Sequence, residues 1–450
     1  LNSDVFKHDQ AVGATPGADA QGGAVAVLGE STSGMTVTIM ACQFNNDTAK
    51  ATAGGAGQGG AIYVDAETSS GFSFSVNMDT TFTSDSASGG GGQNSGIAGG
   101  VGDGGALALF AGQASAPIFS LAHDSFSGCT VSGGQGGTGA LDVTGQEGGN
   151  AKGGAIYYSD NAAMTPTLSI LHSTFKSNSS VGGTGASGKS PGGNGAAGGL
   201  GAGGALFVDL RNSADSGVTI SGDTLSHNQA QGGNGGAGAL STQVGGTGAA
   251  GGTADGGAVD VQIAGSAAST NLMIVDTDME DNTAKAGSGG AGGSGLIGGN
   301  GGNGQTASGG ALFLNSPGTT LTDTWTLDSA TILHNASQSG AGGKGGAGRH
   351  GGIGGDAPGS LGGGVADEFA GTLDILSGSI MHNLVEDNLA GAAGPGLTPG
   401  TKGAKFEGSG GGLYVDSSAT ANATASTKII GNLADFGPNV SGTLGLILAT

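Results

Sequence analysis

The sequence predicts an all-β chain, a right-handed parallel β-helix of about nine coils with glycine-rich loops stacked along one side. Three observations carry this. A GGA-like element begins at Gly22, Gly59, Gly104, Gly153, Gly203, Gly256, Gly309, Gly362 and Gly410. A second element follows each one, an apolar residue with Asn or Asp three places on, as in Phe44/Asp47, Phe175/Asn178 and Ile332/Asn335; in the third repeat Phe126 precedes Cys129 instead. The spacing from first element to second is 22 or 23 residues in seven repeats and 18 or 19 in the last two, whereas the spacing onward to the next GGA grows from 15 to about 30. A constant part and a stretchable part describe a coil with an inserted loop.

The first strand of each coil follows its GGA with period two, as a pleated strand requires. One inward column reads Ile62, Leu107, Ile156, Leu206, Val259, Leu312, Val365, Leu413; two places on, the next reads Val64, Leu109, Tyr158, Val208, Val261, Leu314, Asp367, Val415. Between them an outward column holds Tyr63, Ala108, Tyr157, Phe207, Asp260, Phe313, Ala366 and Tyr414, which the glycine segments are expected to cover. A second strand runs up to the apolar residue of the second element, as in TVTIMACQF (Thr36 to Phe44) and TLSILHSTF (Thr167 to Phe175). Two strands and a turn per repeat, paired in parallel with the next repeat, build a solenoid. The GGA glycines turn a corner where no side chain fits.

The polar column Asp9, Asp47, Asp85, Asn178, Asn228, Asn282, Asn335, Asn383 and Asn432 is expected at a sharp turn, because Asn tolerates left-handed backbone and bonds neighbouring amides. In the stretchable part, segments such as GGNGGAGALSTQVGGTGAAGGTADGG (Gly232 to Gly257) run out and back on a near three-residue glycine period. Glycine at that period lets polyproline-II-type helices pack backbone against backbone, so order is expected from stacking, against the alternative of a flexible linker.

Composition bounds the function. The chain has 450 residues, 104 of them glycine and only 9 proline, without the strict triplet of collagen. With 34 acidic against 12 basic residues and a net charge of -22, neither nucleic acid nor an anionic membrane is an expected partner, and no apolar run is long enough for a membrane-crossing helix. Cys42 and Cys129 lie in different repeats and match no metal or redox spacing. No cofactor, metal or catalytic set is expected: acidic residues are dispersed, Arg211 and Arg349 are the only arginines, and Asp255, Asp260 and Asp276 share a repeat without an obvious partner. GKS at Gly188 to Ser190 lacks the spacing of a phosphate loop. His227, His334 and His382, each before a turn Asn, form a column able to bind metal or sense pH, or simply to face solvent. Asn46, Asn178, Asn335, Asn422 and Asn439 stand in N-x-S/T sequons.

The paired GGA[I/L/V] and FxxN elements, such as GGAIYY at Gly153 with FKSN at Phe175, resemble the repeats of chlamydial polymorphic outer-membrane proteins and related bacterial β-helix surface proteins. The glycine-rich insertions resemble mycobacterial glycine-rich repeat proteins. These resemblances imply a passenger-like domain at a cell surface, in adhesion or envelope structure.

The ends sharpen the functional expectation. LNSDVFKHD (Leu1 to Asp9) reads as a second-element half coil, within 1–21. GTLGLILAT (Gly442 to Thr450) reads as a first strand without its following half, within 433–450. Unprotected strand edges invite pairing with another chain, and a heterologous contact that does not close makes a filament. The expectation is a non-enzymatic extracellular or cell-surface structural protein, its 450 residues one repeat domain that polymerises head to tail with itself. The edges are Val5 and Phe6 at one end and Leu444, Leu446, Ile447 and Leu448 at the other. The alternatives are an adhesin, with cell-surface glycans as partners, and a polysaccharide-active β-helix enzyme.

Overall fold

The computed structural model describes residues 1–447 except 30–32, 67–68, 93–95, 139–143, 161–164, 212–214, 265–269 and 317–322. Among the described residues there is no helix, and every named strand pair is parallel, in five sheets of 10, 10, 9, 7 and 10 strands. The coil that starts at Gly59 shows the order: a lead strand Ile62–Asp65, a second Ser73–Asn77, a third Thr81–Thr83, a fourth Ser86–Ser88 and a fifth Gly102–Asp103. Each pairs with its counterparts one coil below and above, Ile62 with Val25 and with Leu107, Phe82 with Phe44 and with Phe126. This is a parallel β-helix solenoid.

The coil therefore holds five strands where two were expected. The expected second strand breaks in two, Thr36–Met40 and Gln43–Asn45 in its first occurrence, because Ala41 between them takes a φ of 51° and turns the chain. The fourth and fifth strands are two or three residues long, too short for a period-two signal in sequence.

Register turns like residues into ladders. Phe6, Phe44, Phe82, Phe126 and Phe175 stack face to face with centroid spacings of 4.7 to 4.9 Å and ring planes within 5°, which reports the rise per coil directly. Leu225, Met279, Ile332 and Ile380 continue the column, all fully buried. The lead-strand columns are equally buried and join the same core, including Tyr158. Asp367, in the second inward column between Leu314 and Val415, is fully buried. Its Oδ1 accepts the Phe369 N–H at 3.1 Å, Oδ2 has no partner, and burial pushes its carboxyl up to about 7. The outward column is also covered: Tyr157 and Phe207 pack with Leu200 and Ala202 of the returning chain, and Lys152 lies over both rings.

At each GGA the first glycine has positive φ, 61° at Gly59, and a Cβ on the second, Gly60, would overlap the carbonyl oxygen of Gly105 one coil on. One glycine is required by conformation and the other by close approach.

Between fourth and fifth strands the insertions leave the rod as a fin of two layers, outgoing and returning limbs. Within a triplet the amides have set destinations. Gly290 N–H donates to Ala249 O in the returning limb below at 2.8 Å, and Gly292 N–H to Lys344 O in the outgoing limb above at 2.8 Å. Gly302 N–H, returning in the same coil, donates to Gly290 O at 2.8 Å. The pattern recurs at Gly293, Gly295 and Gly299, a three-residue period like that of a polyproline-II-type helix, here with hydrogen bonds between helices. A Cβ on Gly290 would overlap Gly236 O, and one on Gly343 would overlap Gly290 O. The third residue of each triplet faces outward, and where it is Asn it has a task. Thr247, Ser288, Ile353 and Asp356 N–H groups donate to Oδ1 of Asn194, Asn234, Asn300 and Asn303 one coil below at 2.8 to 3.0 Å. The expected order of the glycine segments is present.

Candidate functional site: polar ladders and open edges

The predicted turn column is brought together as one internal ladder, whose oxygen-bearing side chains are interrupted once, by Cys129. Asp9 N–H donates to Asp47 Oδ1 and Asp47 N–H to Asp85 Oδ1, both at 2.9 Å. From Cys129 N–H to Asn178 Oδ1 at 3.0 Å the pattern continues through Asn228, Asn282, Asn335, Asn383 and Asn432 at 2.8 to 3.0 Å. Each Asn Nδ2 also donates to the next Oδ1 and to a backbone carbonyl one coil below, such as Asn282 Nδ2 to Asn335 Oδ1 at 3.0 Å and to Leu225 O at 2.9 Å. At the upper end Asn439 Oδ1 accepts from Asn432 N and Nδ2, both at 3.2 Å. Bonding to neighbouring amides is as expected; the left-handed backbone is not where it was expected. The residue before the ladder position carries it: Asn46, Ser84, Ser177, His227, Asp281, His334 and His382 have φ between 54° and 58°. The ladder side chain must point inward to reach the next coil, so the turn is made one residue earlier.

Aspartate changes the chemistry of the lower coils. A carboxylate supplies no Nδ2–H, and Asp47 Oδ2 and Asp85 Oδ2 have no partner. Burial drives the Asp85 carboxyl up to about 8, with the Asp47 charge adding to it, and burial raises Asp47 as well. Protonation gives each acid one O–H donor and removes the stacked like charges.

A second ladder, at the corner between second and third strands, was missed in the sequence. Cys42 N–H donates to Thr80 Oγ1, Thr80 N–H to Asp124 Oδ1 and Asp124 N–H to Ser173 Oγ, at 3.2 to 3.3 Å, and Ser173 N–H continues to Asp223 Oδ1 at 2.5 Å. Burial pushes Asp124 and Asp223 up to about 7. The available signal was a short polar residue two places before the second-element apolar residue, hidden because its identity changes from coil to coil.

The remaining candidates separate. His227 Nε2 lies 3.6 Å from Asp281 Oδ2, His334 Nδ1 3.8 Å from Glu280 Oε1, and the His334 and His382 rings stack at 5.7 Å, all on the exposed turn face. Among the described residues no group of three His, Cys, Asp or Glu is placed to hold a metal ion. Burial and then the Glu368 charge raise the Asp255 carboxyl, burial and then the Asp255 charge raise that of Asp260, and Asp276 sits apart at a corner with φ of 49°. Cys42 and Cys129 are free, buried and on different ladders. Asn178 and Asn335 are buried with both Nδ2 hydrogens engaged, so their sequons are closed in the fold.

At the lower end Val5, in the strand Val5–Lys7, is 54% exposed, and half-buried Phe6 stacks on Phe44 with its other face open. At the upper end one expectation is corrected. Leu444–Ile447 pairs with Ala421–Thr424 in the second sheet and is not a lead strand. The lead strand is Val440–Ser441, pairing with Leu413 and Tyr414, because Gly437 at φ 56° followed by Pro438 and Asn439 stands in place of a GGA. Leu446 is 65% exposed, Leu444 and Ile447 are half-buried, and Leu448 lies outside the described residues. Ala423, Ile429, Val440, Leu444 and Leu446 line an open apolar depression of about 330 Å³ at this end.

No protein-family model, curated protein or solved structure matches the chain.

Proposed function

We propose that the chain is a non-enzymatic structural protein of the cell exterior or surface, extended head to tail by further copies of itself into a filament or layer. The observation that carries this is the state of the two ends. Among the described residues, Val5–Lys7 has no strand below it, Thr36–Met40 is met from below only by the terminal residues Leu1–Ser3, which bond to Thr38 and Met40, and Lys428–Ile430 and Leu444–Ile447 have no strand above. In the proposed stack Lys428–Ile430 meets a second copy's Val5–Lys7, and Leu444–Ile447 meets its Leu1–Ser3, which lies below Thr38–Met40 in the same sheet, in the parallel sense of the coils between; the sheet order supports this pairing. Sterics agree: the connection that closes the last turn, 434–435, and the first two insertions, 13–19 and 51–56, are the shortest of the series, so no long fin stands where the ends would meet. Burying Phe6 under Ile429 and covering the apolar depression supplies hydrophobic drive. The exterior location rests on the resemblance of the repeats to bacterial surface proteins.

Sedimentation and negative-stain microscopy over a range of concentration test the reading. The expected result is rods in multiples of one length that dissociate on dilution, abolished by Val5→Pro, which removes an edge donor, with the sheet circular-dichroism signal kept. Monomers at the highest concentration would exclude it.

A further inference from the structure

The free margin of the fin carries a feature the reading above does not use. Where the limbs reverse, successive tips are in register: Val244 bridges Ile297, Ile297 bridges His350, and His350 bridges Thr398. The tips should be polar in a solvated loop, yet they present Leu240 at 63% exposure, Val244 at 54%, Leu296 at 49%, Ile297 at 45% and Leu397 at 84%. Aliphatic side chains at the first, second and fourth of these stacked tips, with Arg349 and His350 at the third, form a ridge on an outermost edge, and exposed apolar patches of this kind mark interaction sites.

Charge is segregated along the same direction. The limbs 182–199, 232–252, 287–305, 340–357 and 390–404 contain Lys189, Lys344, Arg349 and Lys402 and a single acid, Asp356, in a chain of net charge -22. A limb such as 286–295 has ten residues at roughly 3.1 Å each, so the ridge stands about 30 Å from the acidic rod, several times the Debye length of about 8 Å at physiological salt. At the margin the field is set by the local cations, and the net charge that argued against anionic surfaces in the sequence does not act there.

We propose that this ridge docks the protein on a lipid surface bearing anionic headgroups. The side chains Leu240, Leu296, Ile297 and Leu397 enter the headgroup and acyl boundary, while Arg349 and Lys402 pair with phosphate or carboxylate above it. The shape selects this partner. The ridge is convex, with aliphatic side chains and no Trp or Tyr anchor, which suits a deformable apolar boundary better than a pocketed protein face. A second fin edge is disfavoured as occupant because it carries the same charge sign. The contact is interfacial and requires no segment to cross the bilayer.

Vesicle flotation of the full chain tests it, with vesicles about one third anionic lipid and with wholly zwitterionic ones at physiological salt. The wild type is expected to float with the anionic vesicles only. Leu240→Ser/Leu296→Ser/Leu397→Ser should lower the fraction bound at least 10-fold. Arg349→Gln/Lys402→Gln should lower it several-fold per cation removed, more at low salt than at high. All these positions are exposed, so unchanged sheet circular dichroism and melting temperature serve as the folding control. Wild type left unbound, equal binding to zwitterionic vesicles, or serine variants that bind as well as wild type would overturn the proposal. So would a tip-dependent oligomer in sedimentation without lipid, which would assign the ridge to a second copy. Filaments formed through the rod ends are unaffected by these variants, so the two proposals fail separately.

Discussion

The rod and the fin are built on the same register by opposite means. In the rod, like side chains lie over like, and stability comes from filling the space between strands: Phe44 on Phe82 on Phe126, Asn228 on Asn282 on Asn335. In the fin, backbone lies over backbone, and stability comes from having nothing between them, as where Gly290 and Gly343 each approach a carbonyl too closely for a Cβ. The rod should therefore fail by losing atoms and the fin by gaining them. Ordering glycine is the entropic cost of the fin, and only the cooperative stack offsets it.

The largest effect should come from filling the fin. Gly343→Val places a branched side chain against Gly290 O with no direction in which to relax, since the returning and neighbouring limbs hem it in. We expect a loss of more than about 4 kcal/mol, the range of exceptional substitutions. Because solenoid units unfold semi-independently, it should appear as hydrogen-exchange deprotection of the limbs 287–305 and 340–357 before the rod strands open. Ala291→Val, on the outward position of a neighbouring triplet, should stay within about 0.5 kcal/mol. Equal effects would erase the distinction between the two surfaces.

Emptying the rod comes next. Phe82→Ala removes a ring stacked on both sides and should cost about 3–5 kcal/mol in denaturant unfolding, with rod strands deprotected and the distal fin retained.

How much of this was legible follows the same division. The GGA and FxxN elements are readable because a fully buried ladder tolerates few residue types, so Ile62 and Asn282 announce their columns. The ladder through Thr80, Asp124, Ser173 and Asp223 was not readable, because any short oxygen-bearing side chain accepts the amide above it and the column has no single letter. The strand Leu444–Ile447 was placed in the wrong sheet because Gly437-Pro-Asn does not look like GGA, although its backbone does the same work. Glycine triplets imply that the fin packs, yet the task of Asn194, Asn234, Asn300 and Asn303 was not legible, since their partner is an amide about 50 residues away.

The polar ladder offers a subtler break, within the rod. Asp85 has its folded value raised to about 8 from an ordinary 3.8, so between those limits the native state holds more protons than the unfolded chain. Stability is then highest below the lower limit and falls as pH rises through the window. Asp124, Asp223 and Asp367, each pushed up to about 7, add to the same slope. Asp85→Asn restores the donor that Asn178 and its successors use. It should raise stability at pH 8 by about 1–3 kcal/mol, make little difference near pH 4 and flatten the melting profile between. A variant less stable than wild type at pH 8 would show that the Asp85 site, facing Cys129, does not accept the amide.

The smallest effect tests whether the fin states its own end. In the layer 340–357 each triplet carries two glycines, one facing the returning limb and one facing the next layer: Gly345 donates to Ala392 O and Gly354 to Thr401 O, at 2.9 and 2.8 Å. One coil on, where the register Thr398 to His350 makes Ala393 and Lys402 their counterparts, only one glycine per triplet remains, at Gly391, Gly394, Gly400 and Gly403. The following connection, 434–435, is too short to form another layer, so the position of Lys402, whose counterpart Gly354 would press a Cβ onto Gly391 O of the next layer, is free to carry a long side chain, while Ala393, whose counterpart Gly345 faces Gly352 O of its own returning limb, stays small. Glycines per triplet thus count the neighbours of a layer, and Lys402, with Pro399 lacking an amide hydrogen, blunts the edge against further stacking. Gly345→Ala and Gly354→Ala should each cost about 1–3 kcal/mol of local stability by hydrogen exchange, as overpacked sites do. Ala393→Gly and Lys402→Gly should cost under about 1 kcal/mol, the chain-entropy term alone. If the paired substitutions matched in size, the single glycines of the last layer would be an accident of composition; if they differ as stated, growth through the rod ends leaves each fin a closed unit.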